Sequence, residues 1–155
     1  MTSEIDNVDA SRGPTASQVA GLTLSAARSV IDAVEAAGRQ MRVALSVAVV
    51  DSGDELVAFA RMDAADLVSI RLARDKAFSA LVNRMPTRDL AALVQPGAEF
   101  YGYDSIAAGR MIVFAGGMPL ERDGVLVGAV GVSGGSSEED QRAVDAGVAA
   151  FAQRA

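Results

Sequence analysis

The sequence predicts an α+β fold, a single-domain α/β sandwich in which helices flank a five-stranded, mainly antiparallel sheet. Three observations carry that expectation. The chain has 155 residues, half of them hydrophobic, which is enough for one real core. Its β-prone runs are joined by short turn sequences, Asp51-Ser-Gly-Asp54 and Arg122-Asp-Gly124, and tight turns of this kind connect antiparallel neighbours. Runs with helical spacing come before, between and after those hairpins.

Taken in order, residues 1–20 are polar, carry Gly13-Pro14 and show no period, so they read as a flexible N-terminal tail. A single domain then spans 21–155. From Leu24, Ala27, Val30, Ile31, Val34 and Ala37 recur on one helical face, with Thr23 or Ser25 as cap and Gly38 near the end. Ala44–Val50 is a β-prone run, and Glu55–Arg61 is its returning strand. Leu67–Arg84 reads as a long helix with Ile70, Ala73, Ala77, Ala80 and Leu81 inward. Pro86-Thr87 opens a short helix to Val94, with Thr87 as N-cap, and Gln95-Pro96-Gly97 breaks it. Residues 97–109 look like a loop. Arg110–Ala115 is a third strand, ended by Gly116-Gly117, and 118–121 and 125–133 form the second hairpin. Ser136 and Glu139 make a capping box for the last helix, whose stripe is Val144, Gly147, Val148 and Phe151. The order is α-β-β-α-α-β-β-β-α.

Composition narrows the chemistry. The chain has no His, Cys or Trp, so a Ser-His-Asp triad, a Cys nucleophile, a zinc finger and a disulfide framework are excluded, and no metal site is expected. Its net charge of −6 argues against a nucleic-acid partner. No apolar run reaches the length of a membrane span, and residues 1–18 lack a signal-peptide core, so a cytoplasmic protein is expected.

Several motifs read two ways. Gly131-Val-Ser133-Gly-Gly135 matches a nucleophile elbow, but without His only a Ser133–Lys76 pair remains; the plain reading is a tight exit from the sheet. Three carboxylates in the last helix's first turn (Glu138, Glu139, Asp140) disfavour phosphate there. Gly116-Gly117, followed by Met118, either bares backbone amides to a ligand or bends the chain. Asp63, Ser69 and Lys76 form a polar line that points at one pocket if Lys76, the only lysine, is a desolvated base or nucleophile; otherwise Lys76 is a solvated helix lysine beside Asp75. Arg71 and Asp75 are spaced for a surface pair. Met62, Met85, Met111 and Met118 are ligands for a soft metal or haem iron, or core, and Tyr101 and Tyr103 line a pocket mouth or ligate ferric haem, or else pack over the sheet.

An ordered set of segments resembles a known family. Leu22–Arg28, Val47–Asp51, Phe59–Asp63, Ser69-Ile70, Lys76-Ala77, Pro86-Thr87, Gly116–Pro119, Gly128–Gly134 and Glu139-Asp140 together resemble the GlcG/HbpS-like haem-binding family, which also forms the C-terminal domain of PduO-type cobalamin adenosyltransferases. The resemblance covers roughly residues 22–152. It implies a compact five-stranded α/β domain, a homo-oligomer and a pocket for haem, another tetrapyrrole or a small organic molecule. The chain departs from the family at Gly53-Asp54, where a Gly-Gly is usual, at Ala64-Ala65, and in having no His, the ordinary haem ligand. The expected function is thus an oligomeric small-ligand-binding protein. Its pocket is lined by Asp63, Ser69, Lys76 and the Gly116-Gly117 edge. The alternative is a cofactor-independent enzyme on a small carbonyl or unsaturated acid, with Lys76 as base or carboxylate anchor, Asp63 as acid–base partner and amides near Gly117 as oxyanion site. A third reading is a scaffold whose apolar surface serves assembly alone.

Overall fold

A computed structural model describes residues 21–153; the expected N-terminal tail lies outside the described residues. The elements are α1 (Leu24–Met41), β1 (Ser46–Asp51), β2 (Leu56–Arg61), α2 (Leu67–Asn83), α3 (Thr87–Leu93), β3 (Gly117–Arg122), β4 (Val125–Ser133) and α4 (Ser137–Ala152), with two short 3-10 turns at Tyr103–Ser105 and Ala107–Gly109. The strands form one antiparallel sheet in the order β2-β1-β4-β3.

Alternation along the strands builds two layers of packing. Val47, Val49, Val130 and Val132 point to one face, where Ala27, Val30, Ile31 and Val34 of α1 and Val144 and Phe151 of α4 cover them. Val50 and Ala129 point to the other face and meet Ala77, Ala80 and Leu81 of α2. The α2 face is built from small residues, and the sheet answers with Gly131. A Cβ on Gly131 would collide with the Ala73 carbonyl oxygen and lie 2.5 Å from the Ala77 nitrogen, so helix and strand touch backbone to backbone.

The five-strand expectation fails at Arg110–Ala115, which is loop, and the described sheet has four strands. The reason lies in α2. The Ser79 hydroxyl accepts from the Ile112 N–H at 2.7 Å, and its proton, donated mainly to the Asp75 carbonyl at 2.7 Å, is shared with the Arg110 carbonyl at 3.2 Å. Asn83 Nδ2 donates to Met111 Sδ. The segment's polar groups are thus met by a helix, and its β-prone composition finds no strand to pair with.

Capping follows the sequence in part. Thr23 caps α1 through Ala26 N, and the capping box at Ser136 and Glu139 is present. Thr87, expected as N-cap of α3, is instead its first helical residue, with Pro86 at the cap position. Its buried hydroxyl accepts from the Gly117 N–H at 2.9 Å and anchors the start of β3. Ile70, expected inward on α2, is only half-buried.

The Ser136 N–H and hydroxyl hold the Glu139 carboxyl below the usual carboxylate range. A carboxyl whose value falls on folding adds stability above its unfolded value, near 4.5, and loses it as pH falls through the lower folded value. In Glu139→Gln, the deficit in melting temperature relative to the parent is therefore expected to be largest near neutrality and to shrink towards pH 3. A deficit that stays constant across that range would remove the charge from the account.

Candidate functional site

Lys76 lies on the small-residue face of α2, in register with Ser69, Ala73 and Ala80, and its side chain is fully buried. Its Nζ donates to Asp140 Oδ2 at 2.6 Å and to the Val132 carbonyl at 2.9 Å, and sits 5.0 Å from the centre of the Phe114 ring. Asp140 Oδ1 accepts from the Gly135 N–H. Burial pulls the Lys76 ammonium below its ordinary value and pushes the Asp140 carboxyl above its own, while each charge opposes the shift of the other. The pair joins α2, on one face of the sheet, to α4, on the other. Gly116 makes the passage possible: its φ is 112°, and a Cβ there would lie 2.8 Å from Nζ. Gly117 is equally tight, with the Lys76 carbonyl 2.5 Å from its notional Cβ.

Lys76 is therefore neither the solvated lysine nor a partner of Asp75. Asp75 instead accepts from Arg71 Nε and Arg110 Nε, at 2.8 and 3.2 Å. Nor does Lys76 join Asp63 and Ser69 around one pocket. The Ser69 hydroxyl lies two turns, about 10 Å, along the helix, buried against the Ser46 hydroxyl at 2.8 Å and the Asp66 carbonyl. Asp63 is exposed and, with Met62, Glu35, Arg39 and Arg61, lines an open cleft of about 400 Å³. Met62 Sδ accepts from the Leu45 N–H, and Met118 Sδ from Gln141.

Two other hollows are better formed. Beneath the 97–109 loop, Asn83, Met85, Leu90, Leu93, Val94, Phe100 and Tyr103 enclose an apolar cavity of about 170 Å³. The Tyr103 hydroxyl donates to Asn83 Oδ1 at 2.8 Å on its wall, and the Phe100 and Tyr103 rings stand 6.1 Å apart. Tyr101, by contrast, is 68% exposed. The second hollow is a charged cleft of about 490 Å³ lined by Asp54, Ile70, Arg71, Arg74, Asp75 and Arg110. Arg110 is its hub: Nη1 donates to Asp54 Oδ2 at 2.8 Å, Nε to Asp75, and its guanidinium stacks 3.9 Å from the Phe78 ring centre. The Asp54 contact, above all, holds the Arg110 guanidinium above its ordinary value.

Sequence reading missed Asp140, Asn83 and Arg110. Asp140 left a signal: it falls on the apolar stripe of α4 with Val144, Gly147 and Phe151, where a carboxylate has no place without a buried partner.

The fold and these sites can be set beside known proteins. The family model for haem degrading protein HbpS-like matches residues 22–149. The chain belongs to the HbpS-like family. This HbpS-like chain is 36% identical to an uncharacterized 15.0 kDa protein of the dhaT-dhaS intergenic region of Citrobacter freundii, over 88% of its own length and 96% of the relative's. It is 44% identical to the corrinoid adenosyltransferase PduO of Salmonella typhimurium, over 77% of this chain but only 35% of PduO. A solved PduOC:haem complex superposes with a TM-score of 0.82 at 36% identity, covering 84% of this chain and 94% of that one.

The residues of this HbpS-like chain do not fit haem in the ordinary way. It has no His. The sulfurs of Met62, Met111 and Met118 already accept hydrogen bonds, Lys76 is closed in its ion pair, and Tyr103 is bonded to Asn83. The Tyr103 cavity is also smaller than the roughly 300 Å³ at which drug-sized pockets begin. Among the described residues no group of three or more acidic side chains is placed to hold a metal, and no described helix is long and apolar enough to cross a membrane.

Proposed function

We propose that this chain is a small-ligand-binding protein that works as a homo-oligomer and takes a small organic molecule, rather than axially ligated haem, in the cavity beneath the 97–109 loop. The observation that carries this reading is the wall of that cavity: apolar side chains of α3 and the loop around one polar pair, the Tyr103 hydroxyl and Asn83. An apolar hollow with a few fixed polar groups is what small-molecule recognition requires. The PduOC:haem complex supports ligand binding on this fold. Exposed Leu67, Val68, Val82, Ile106 and Phe114 give a surface rich in apolar side chains, which supports assembly.

Phenol tests the cavity, with methyl shifts of Met85, Leu90 and Leu93 as the readout. Saturable shifts are expected, with binding weakened about two- to tenfold in Tyr103→Phe through loss of one hydrogen bond and abolished by the cavity-filling Leu93→Phe. Methyl shifts that do not saturate, or that survive Leu93→Phe, would overturn the reading. Hemin runs as the parallel arm: a saturable Soret shift at tens of micromolar (an order-of-magnitude range) would return haem as the ligand. Sedimentation should give a mass at least twice 15.9 kDa, and a monomer at all concentrations would remove the oligomer.

A further inference from the structure

We infer that the charged cleft between α2 and the Arg110 segment is a second ligand site, one that takes a monocarboxylate. It shares no lining residue with the Tyr103 cavity, so it stands or falls separately.

Charge accounting inside the cleft leads there. Three guanidiniums, Arg71, Arg74 and Arg110, face two carboxylates, Asp54 and Asp75. Asp75 is consumed on both oxygens, by Arg71 Nε and Arg110 Nε. Asp54 Oδ2 is consumed by Arg110 Nη1. One positive charge is left over, in a chain whose net charge is −6. It resides on Arg74, which forms no ion pair or hydrogen bond among the described residues. Arg71 engages Asp75 through Nε, and its side chain is 68% exposed.

Arg71 and Arg74 stand three residues apart on α2 and therefore share a face of the helix. A planar guanidinium offers paired N–H groups that match a carboxylate or phosphate edge on. The surplus of one charge distinguishes these two: a carboxylate balances it, whereas a phosphate dianion would overfill the cleft and meet Asp54 and Asp75. Ile70, half-buried on the same wall, gives the carbon skeleton of the ligand an apolar contact. One wall of the site is fixed before any ligand arrives, because Arg110 is held by two carboxylates and the Phe78 ring at once.

Sodium acetate is the probe, titrated at constant ionic strength against sodium chloride, with the arginine Nε–Hε resonances of Arg71 and Arg74 as readout. Saturable shifts with a Kd on the order of millimolar are expected. Arg74→Gln should weaken acetate binding about fivefold or more, while leaving the melting temperature nearly unchanged, as for an exposed surface residue. Arg74→Lys, which keeps the charge but loses the fork, should fall between the two. Three results would overturn the site: shifts that chloride reproduces, no saturation by 100 mM or so, or an Arg74→Gln protein that binds as before. Inorganic phosphate binding about tenfold tighter than acetate would overturn the monocarboxylate assignment.

Discussion

Lys76→Met lowers the stability of the folded chain by about 3–5 kcal/mol, because it strands the Asp140 carboxylate in the interior. Asp140 is almost wholly buried, and among the described residues its only cation is Lys76 Nζ at 2.6 Å. For a domain of this size, that loss lowers the thermal midpoint by about 10 °C. A second variant separates a structural pin from any other role. Lys76→Met with Asp140→Leu removes both charges, and matched apolar replacements of a buried pair are often neutral or better. The double variant should therefore regain most of what the single one loses. Calorimetry on the three proteins decides it, and a single variant as stable as the parent would remove the pin from the account of the fold.

Gly131→Ala carries the second large effect. The added methyl would meet the Ala73 carbonyl oxygen and approach the Ala77 nitrogen to 2.5 Å, and both are helix backbone that cannot rotate away. Overpacking of this kind costs about 3 kcal/mol, and here it also lifts α2 off β4. Gly53→Ala is the control: its nearest contact is the Asp51 carboxylate at 3.3 Å, in an exposed turn, so its midpoint should stay near the parent's. Equal melting of the two alanine variants would show that α2 and β4 can separate freely.

Much of the fold is legible in the sequence because local rules decide it. The α1 stripe, both hairpin turns and the Ser136 capping box depend on residues within a few positions of one another, and each lies where the pattern puts it. The Arg110–Ala115 segment is where this breaks down. Its composition favours a strand, but whether it pairs is decided by Ser79 and Asn83, which lie some thirty residues away. The candidate sites are less legible for the same reason. Arg71 and Asp75 announce themselves by spacing, yet the contacts that make a cleft of them come from Asp54 and Arg110. Lys76 stands out as the only lysine, but its partner is sixty-four positions on. A closer reading of periodicity finds each member of that pair, though not that they meet, since both Lys76 and Asp140 interrupt apolar stripes on their own helices.

The pairing of β1 with β4, Ser46 opposite Ser133, has a consequence for how the chain is made. During synthesis the β1–β2 hairpin emerges early, but β1 has its second neighbour only when β4 has been translated, and the apolar stripe of α1 waits for α4. Until β4 and α4 leave the ribosome, the free edge of β1 has no strand to pair with and the apolar stripe of α1 lacks one of its partners. The central sheet is therefore completed only once β4 has been made, and the free edge of β1 must be kept from pairing with other chains until then.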